Sequence, residues 1–334
     1  MPPPTEALQL MFIPSFEDVE RAAARLEGHA RRTPLLSATA LDEATGGRLL
    51  LKLETLQYTG SFKFRGAWNR LSQLDPGQRA AGVVAFSSGN HAQGVAAAAR
   101  RLGIRATIVM PADAPRVKML NTRALGAEVV EYDRERESRE SIAARIAAER
   151  GAVLVPSFDD PDIVAGQGTV GIELLEQSAA VGTRIDDVVV SCSGGGLVAG
   201  IALAVKARSP TTRVWCAEPE GFDDYRRSLA AGQRLRNAPG GRSICDALLA
   251  PEPGEITFAI NRRLLAGGFA VTDEAVRAAI AYAARSLKLV VEPGGAVALA
   301  AVLAGQLPVR DRTIAVVLSG GNIDDALLTA ILGP

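Results

Sequence analysis

A lysine in a glycine-flanked segment is the residue whose type most suggests chemistry in this sequence. Lys63 lies in residues 59–67 (TGSFKFRGA) and is one of only five lysines among 37 basic residues. A guanidinium stays protonated, whereas a lysine amine whose pKa is lowered by its surroundings can form a Schiff base with an aldehyde. Most lysines are solvated surface residues. In this arginine-rich chain, however, the choice of lysine predicts a nucleophilic amine.

A turn rich in serine and glycine, residues 87–94 (SSGNHAQG), is the second candidate. It joins an apolar stretch to an alanine-rich one, so its N–H groups and the Ser87 and Ser88 hydroxyls meet at a predicted helix start. Unpaired N–H groups and the helix dipole both favour negative charge there. We predict a carboxylate site. The alternative is that Asn90 only caps the helix.

Three consecutive glycines mark the third candidate, residues 191–200 (SCSGGGLVAG), which follow the apolar run at 188–190. Consecutive glycines let the backbone fold closely around a phosphate at the start of the next helix. A dinucleotide site is the alternative, because Glu218 follows Gly196 by 22 residues, near the spacing of a ribose-binding acid. The spacing of the glycines, one residue longer than the dinucleotide pattern, counts against that alternative.

A serine at the end of an apolar run is the fourth candidate. Ser319 lies in residues 316–322 (VVLSGGN). A hydroxyl held there can hydrogen-bond a heteroaromatic ring nitrogen without forcing its protonation, which an aspartate would do. The alternative is a tight turn with a capping serine.

These four segments need a scaffold, and the chain between residues 82 and 318 predicts strands that alternate with helices. Strands are predicted at 82–86, 105–110, 127–132, 153–155, 187–192, 213–217, 269–271 and 313–318. This alternation is typical of an α/β fold with mostly parallel sheets. We expect each segment to be a turn just after a strand, where open α/β sheets bind ligands. A boundary between two units is predicted near 156–162.

Composition restricts the class of protein. The 334 residues are 48% hydrophobic and 22% charged, and the 37 basic and 37 acidic residues cancel. These values predict a globular protein of about two domains with small-molecule partners, and they do not support a nucleic-acid or membrane surface. Three cysteines and two histidines argue against a disulfide framework and a histidine-rich metal centre. The N-terminus has no basic segment followed by an apolar run, so we predict a cytoplasmic protein.

Together the four segments resemble one family, the serine/threonine dehydratases, which are pyridoxal 5′-phosphate (PLP) enzymes of fold type II and include a serine racemase and threo-3-hydroxyaspartate dehydratase branch. The resemblance covers nearly the whole chain and includes FDDP at 158–161, AGQGT at 165–169 and EPGGA at 292–296. It implies an α/β fold with two open, twisted, mostly parallel sheets flanked by helices. It also implies a large PLP-binding domain (1–75 and 160–334), an inserted small domain (76–159), no C-terminal regulatory domain, and a homodimer.

The resemblance also assigns roles to individual residues. Lys63 would bind the cofactor covalently and remove the α-proton of the substrate, and Ser88 would face the cofactor from the other side. The further cofactor contacts that it implies are Phe62, Asn90, Ser193, Gly194, Gly195, Gly196, Leu197 and Ser319. The substrate contacts that it implies are Ser87, Ser88, Gly89, Asn90 and His91. The chain departs from the family where Ser193 replaces a frequent fourth glycine and Gly294 replaces a common serine.

The activity implied is the dehydration of a β-hydroxy amino acid to a 2-oxo acid and ammonia, with PLP as the electron sink. Threonine or serine is the predicted substrate. Dehydration of threo-3-hydroxyaspartate and racemisation of serine are the alternatives within the family, and a Rossmann-type dinucleotide-binding protein is the alternative from another class. The racemase branch also implies a Mg²⁺ or Ca²⁺ site at Glu218, the Phe222 carbonyl and Asp224, since hard cations prefer oxygen ligands. A solvated acidic loop is the alternative there.

Overall fold

The computed structural model describes residues 12–37, 39–114 and 116–333. The N-terminus, where we predict no leader segment, lies outside the described residues. The strands, in chain order, are β1 (Leu35–Ser37), β2 (Arg48–Leu53), β3 (Val83–Phe86), β4 (Ala106–Pro111), β5 (Glu128–Tyr132), β6 (Val153–Leu154), β7 (Asp187–Ser191), β8 (Arg213–Pro219), β9 (Gly267–Val271) and β10 (Thr313–Leu318).

Helices flank these strands. They are α1 (Phe16–Leu26), α2 (Thr39–Thr45), α3 (Lys63–Ser72), α4 (Pro76–Ala81), α5 (Asn90–Leu102), α6 (Arg116–Ala124), α7 (Arg139–Arg150), α8 (Pro161–Ala180), α9 (Gly196–Arg208), α10 (Asp224–Ala231), α11 (Glu255–Leu264), α12 (Asp273–Tyr282), α13 (Pro293–Leu303) and α14 (Asp325–Leu332). Short 3₁₀ turns occur at Glu54–Leu56, Tyr58–Gly60 and Asp246–Leu248, and a π turn at Ala283–Leu287 follows α12.

The strands form two separate sheets. One has six strands in the order β1-β2-β10-β7-β8-β9, and the other has four in the order β5-β4-β3-β6. Every neighbouring pair is parallel except β1 and β2. The predicted α/β fold with two mostly parallel sheets is therefore confirmed. The four-stranded sheet uses residues 83–154, which lie inside the predicted small domain, but the division into domains stays a prediction.

Close packing of α8 against α9 places the glycine-rich turn that precedes α9. A Cβ on Gly200 would lie 2.3 Å from the Val164 carbonyl oxygen, and one on Gly168 would lie 2.7 Å from the Gly200 carbonyl oxygen. Only glycine fits between two helix backbones that approach this closely. Val164 and Ala199, one from each helix, are fully buried beside this contact. The turn before α9 is therefore held on a rigid base.

Two adjacent aspartates cap two different helices. Asp160 accepts the N–H groups of Asp162 and Ile163 at the start of α8, as a local N-cap does. Asp159 instead accepts three N–H groups at the start of α11, almost a hundred residues away in sequence. The FDDP segment thus ties α8 to α11.

The Lys63 segment lies in a different place from the one that the sequence predicts. The segment around Lys63 does not directly follow a strand, which corrects our prediction: β2 ends at Leu53, two 3₁₀ turns intervene, and Lys63 is the first residue of α3. The other three segments do follow strands β3, β7 and β10. Within the described ranges, no helix is long and apolar enough to cross a membrane.

Candidate active site

All four segments line one cavity of about 440 Å³. It lies between the two sheets, because β3 of the small sheet and β7 and β10 of the large sheet each end at it. Its wall includes Lys63, the 87–91 turn, the 193–197 turn and Ser319. The structure therefore brings together every residue that the sequence assigned to cofactor and substrate. The roles of the individual residues stay predictions.

Backbone contacts join the Lys63 segment to the Ser319 segment. Ser61 and Gly320 form an isolated antiparallel bridge, and the Phe62 N–H donates to the Ser319 carbonyl at 3.1 Å. A Cβ on Gly320 would lie 3.2 Å from the Ser61 side chain and 2.0 Å from the Glu292 carboxylate, so a larger residue is excluded there. This bridge fixes the start of α3 beside the end of β10.

The Lys63 amine lies in a site that weakens its proton affinity. Its Nζ donates to the Ser157 carbonyl at 2.6 Å, and burial lowers the pKa of Lys63 to about 8. Desolvation disfavours the charged form, and no carboxylate of the described residues compensates for it. An amine with this pKa is deprotonated in a far larger fraction near neutral pH than a solvated lysine. The nucleophilic amine that the sequence predicted therefore has a physical basis.

Aromatic rings pack against the glycine-rich turn at 193–197, which we call the cup. A Cβ on Gly194 would lie 2.4 Å from the Phe158 ring, and a Cβ on Gly195 would lie 2.4 Å from the Tyr225 ring. Gly195 also has a φ of +93°, a conformation that favours glycine. The cup leads into α9, whose first N–H groups have no helical partner. It is thus suited to an anion, as predicted.

The turn at 87–91, which we call the carboxylate turn, is less enclosed. Ser87 and Ser88 are half-buried, Gly89 is buried, and the Gly89 N–H donates to the Ser87 hydroxyl at 3.1 Å. His91 is buried: its Nε2 lies 3.0 Å from the Val155 carbonyl, and burial together with the nearby Lys63 lowers the pKa of His91 to about 3. The His91 ring is therefore neutral, and its contact with the carbonyl places the proton on Nε2.

Asn90 lies at the centre of a series of side-chain hydrogen bonds that crosses the cavity wall. Its Nδ2 donates to the Glu292 carboxylate at 2.5 Å, and its Oδ1 accepts from Asn322 at 2.8 Å. Asn322 also donates to the Thr59 carbonyl at 2.8 Å. One amide hydrogen of Asn90 remains for a ligand oxygen. The helix-cap alternative is wrong for this side chain, because Asn90 is the first residue of α5 and its amide bonds to distant residues.

An ion cluster beside Asn90 was missed by the sequence analysis as part of the site. Lys118 donates to Asp246 at 2.5 Å and lies 3.5 Å from Glu292. Burial raises the pKa of Glu292 to about 7, although Lys118 opposes this shift. The two carboxylates outweigh burial at Lys118 and raise its pKa. Lys118 is another of the five lysines, which is the one signal that the sequence offered.

The predicted cation residues lie outside the cavity wall, at the junction of β8 and α10. Glu218 accepts the N–H groups of Tyr225 and Arg226, and Asp224 accepts from Asn237. Both carboxylates are buried, which raises their pKa values, that of Asp224 to about 6. One Asp224 oxygen is buried without a partner among the described residues. A cation there would offset the buried negative charges and give the unpartnered Asp224 oxygen a partner, so the donor set fits a cation. The metal itself stays a prediction. No group of three or more Asp, Glu, His or Cys gathers in the part of the chain that the structure describes.

A lysine amine of lowered pKa, an anion cup and a carboxylate turn on two packed sheets define an α/β enzyme that holds an anionic aldehyde cofactor. The chain belongs to the family of pyridoxal-phosphate-dependent enzymes, whose family model matches residues 26–320. Within it, the chain falls in the branch of threonine deaminases, serine racemases and hydroxyaspartate ammonia-lyases. The glycine-rich turn is therefore part of a PLP enzyme, which leaves no support for the dinucleotide alternative.

Three relatives illustrate this branch. The chain is 44% identical to an L-threo-3-hydroxyaspartate ammonia-lyase from Pseudomonas sp., over 94% of this chain and 97% of the relative. It superposes on a threonine deaminase from T.th. with a TM-score of 0.87 and 47% identity, covering 93% and 99% of the two chains. It also superposes on maize serine racemase with a TM-score of 0.90 and 39% identity, covering 96% and 97%.

Proposed function

We propose that this protein is a PLP-dependent ammonia-lyase that dehydrates threonine or serine to a 2-oxo acid and ammonia. The observation that carries the proposal is the gathering of Lys63, the carboxylate turn, the cup and Ser319 around one cavity. When bound there, PLP supplies an electron sink for the electrons of the Cα–H bond. The cup would hold its phosphate, Lys63 and Phe62 would flank its reactive end, Asn90 would meet its ring oxygen, and Ser319 its ring nitrogen.

The residues of this chain would then perform the elimination. The N–H groups of the carboxylate turn bind the α-carboxylate of the substrate, which orients its Cα–H bond. Lys63 acts as the general base that takes the α-proton, since its pKa of about 8 suits proton transfer near neutral pH. The β-hydroxyl takes up a proton and leaves as water, and the α-proton taken by Lys63 replaces the proton that was consumed, so the elimination releases one water and an enamine. The released enamine then takes up water and yields the 2-oxo acid and ammonia.

Replacement of the lysine tests this proposal. We expect Lys63→Met to abolish both the near-visible absorbance of the covalently bound cofactor and the release of 2-oxo acid from threonine and serine. Lys206→Met is the matched control, because that amine donates to the Thr212 carbonyl at 2.7 Å and does not line the cavity. Full turnover in Lys63→Met would refute the proposal.

Two arginines favour threo-3-hydroxyaspartate as a second candidate substrate. Arg134 and Arg139 line the cavity, and the Arg139 guanidinium lies 5.4 Å from the centre of the Phe86 ring. Either guanidinium would pair with the second carboxylate of such a substrate. Arg139→Met would then lower kcat/KM for hydroxyaspartate by about a hundredfold and that for threonine by less than about threefold. Equal losses on both substrates would remove this candidate.

Ser88 lines the cavity and supports racemisation of serine as an alternative activity, because a hydroxyl on the opposite face from the lysine can return a proton there. Chiral analysis of serine after incubation tests this alternative. D-serine should form with the wild-type protein and not with Ser88→Ala, while 2-oxo acid release continues in both. If the wild-type protein forms no D-serine, racemisation is ruled out and dehydration is the one proposed activity that remains.

A divalent cation at Glu218, the Phe222 carbonyl and Asp224 is part of the proposal. It would act at a distance from the chemistry, by neutralising two carboxylates whose pKa values are raised by burial. Chelation should therefore lower the thermal stability of the wild-type protein and leave that of Asp224→Asn unchanged. Identical responses to the chelator in both proteins would argue against the cation.

We also propose the division into a large and a small domain and the homodimer that the family resemblance implies. Light scattering tests the homodimer.

A further inference from the structure

We propose that Thr257 and Asn261, one turn apart on α11, are positioning residues that keep the N–H groups of the cup turned toward the cavity. Neither residue lines the cavity, and the sequence analysis assigned no role to either. The inference rests on the proposed function, because it concerns the cup as the phosphate site. It adds a second layer of residues behind the groups that would touch the cofactor.

Side chains of α11 bind the carbonyls of the cup on the side away from the cavity. The Thr257 hydroxyl donates to the Gly194 carbonyl at 2.6 Å, where the Gly254 N–H also donates at 3.2 Å. The Asn261 amide donates to the Gly195 carbonyl at 3.2 Å. In a trans peptide the carbonyl and the following N–H point in opposite directions. Fixing the carbonyls of Gly194 and Gly195 on the α11 side therefore directs the N–H groups of Gly195 and Gly196 to the other side.

These side-chain bonds add to two backbone bonds on the same carbonyls, from the Gly254 N–H to Gly194 at 3.2 Å and from the Ala199 N–H to Gly195 at 2.9 Å. Glycine has no Cβ to restrict its dihedral angles, so a peptide between two glycines can rotate at low cost. Three glycines follow one another here. Thr257 and Asn261 are fully buried, so water cannot replace their hydrogen bonds. The two side chains thus reinforce, on the α11 side, an orientation that the dihedral preferences of glycine do not impose.

The two side chains are themselves held in place. The Asp159 carboxylate accepts the N–H groups of Glu255, Ile256 and Thr257 at 2.8, 2.9 and 3.2 Å, which anchors the first turn of α11. The Asn261 amide donates to the Tyr225 hydroxyl at 2.8 Å, and the Tyr225 ring packs under Gly195. Fixed supporting residues of this kind are what keep a binding site preorganised.

A comparison of PLP with pyridoxal, which lacks the phosphate, tests the proposal. Both aldehydes can react with Lys63, but only PLP uses the cup. Protein freed of cofactor with hydroxylamine is titrated with each aldehyde, and the near-visible band gives the two dissociation constants. The variants are Thr257→Val, which removes the hydroxyl at nearly constant volume, Thr257→Ser, which restores it, and Asn261→Leu.

The matched control is Thr212→Val. Thr212 is also buried and its hydroxyl donates to the Ile185 carbonyl at 2.7 Å, but it precedes β8 and so lies at the opposite end of the sheet from the cup. This variant loses a comparable buried hydrogen bond without touching the cup. It shows how far a general loss of stability affects the two dissociation constants.

We expect Thr257→Val to raise the dissociation constant of PLP by about tenfold and to leave that of pyridoxal unchanged, as for the loss of one buried hydrogen bond. Thr257→Ser should restore the PLP value, and Asn261→Leu should weaken PLP in the same selective way. Unchanged PLP binding, or equal losses of PLP and pyridoxal, would overturn the inference. If Thr257→Val does not fold, Asn261→Leu decides by the same criteria. A wild-type protein that forms no near-visible band would instead overturn the proposed function itself.

Discussion

The cup and the carboxylate turn are built on the same plan, a strand that ends in a turn before a helix, yet the protein holds them differently. A Cβ on any of the three glycines of the cup would lie within 3.0 Å of Phe158, Tyr225 or Gln167, and α11 binds the cup carbonyls. The two serines of the carboxylate turn are half-buried, and its other residues are buried. A Cβ on Gly89 would lie 2.7 Å from the Lys118 side chain, and its three nearest atoms would all belong to that side chain.

This difference matches the different occupants that we propose. A cofactor that stays bound through many turnovers benefits from a rigid cup that is organised before binding. A substrate that enters and leaves in each turnover needs a turn that can adjust. The carboxylate turn is tied to the segment before α13 through the Asn90 side chain, which donates to Glu292. Under the proposed function, the cup would serve permanent binding and the carboxylate turn would serve exchangeable binding.

The largest expected effect comes from filling the space under the cup. Gly195→Ala combines a φ of +93° with a contact of 2.4 Å to Tyr225, so we expect a loss of about 3 kcal/mol or more in stability and at least a hundredfold in PLP affinity. Thermal unfolding and PLP titration measure both. Gly103→Ala, at φ +69° with nothing within 4 Å, is the control for backbone strain alone. Equal effects of the two variants would mean that the Tyr225 contact is irrelevant.

The titration of Glu292 tests how the carboxylate turn is held. Burial raises the pKa of Glu292 to about 7 from its usual 4.5, so this group contributes stability that is fully present below pH 4.5 and lost as the pH rises through 7. The full change is about 3 kcal/mol. Urea unfolding between pH 4.5 and 8 should show this loss in the wild-type protein and not in Glu292→Gln. The exposed Glu131→Gln is the control, and a loss that persists in Glu292→Gln would contradict the assignment.

Lys63 lies between the two turns and should show the opposite dependence. Its folded pKa of about 8 is below the usual 10.5, so its contribution to stability is present above pH 10.5 and lost as the pH falls through 8. In cofactor-free protein at pH 7, Lys63→Met should therefore be more stable than wild type by about 2 kcal/mol, a value reduced because the lysine is partly exposed. The difference should shrink toward pH 10. A less stable Lys63→Met at pH 7 would contradict this account.

The smallest expected effect lies at the carboxylate turn. Gly89→Ala places a Cβ against the Lys118 side chain, which would shift within its ion pairs to Asp246 and Glu292, so we expect KM to rise by about tenfold while the near-visible cofactor band is retained. Steady-state kinetics and an absorbance spectrum are sufficient. Loss of the cofactor from Gly89→Ala, as in Gly195→Ala, would show that the two turns do not differ in the way that we describe.

The sequence predicted the fold well where periodicity and turn residues act locally. Strands β3, β7 and β10 agree with the predicted segments to within one residue at each end. The region before residue 82 received no elements, and β2 there contains a fully buried lysine. Lys52 pairs with the Glu173 carboxylate at 2.6 Å and donates to the Thr33 carbonyl at 2.7 Å. Those partners come from distant segments, so a local pattern does not reveal the strand.

The sequence by itself determined which residues can do chemistry at each turn: an amine at Lys63, bare backbone at the cup and a neutral hydroxyl at Ser319. These properties depend on residue type and on neighbours in the chain. The tertiary structure decided what those groups experience. Burial lowers the pKa of Lys63, Glu292 meets Asn90 across 202 residues, and Thr257 binds the Gly194 carbonyl across 63. Desolvation and long-range contacts exist only after the two sheets have packed, and no local pattern encodes them.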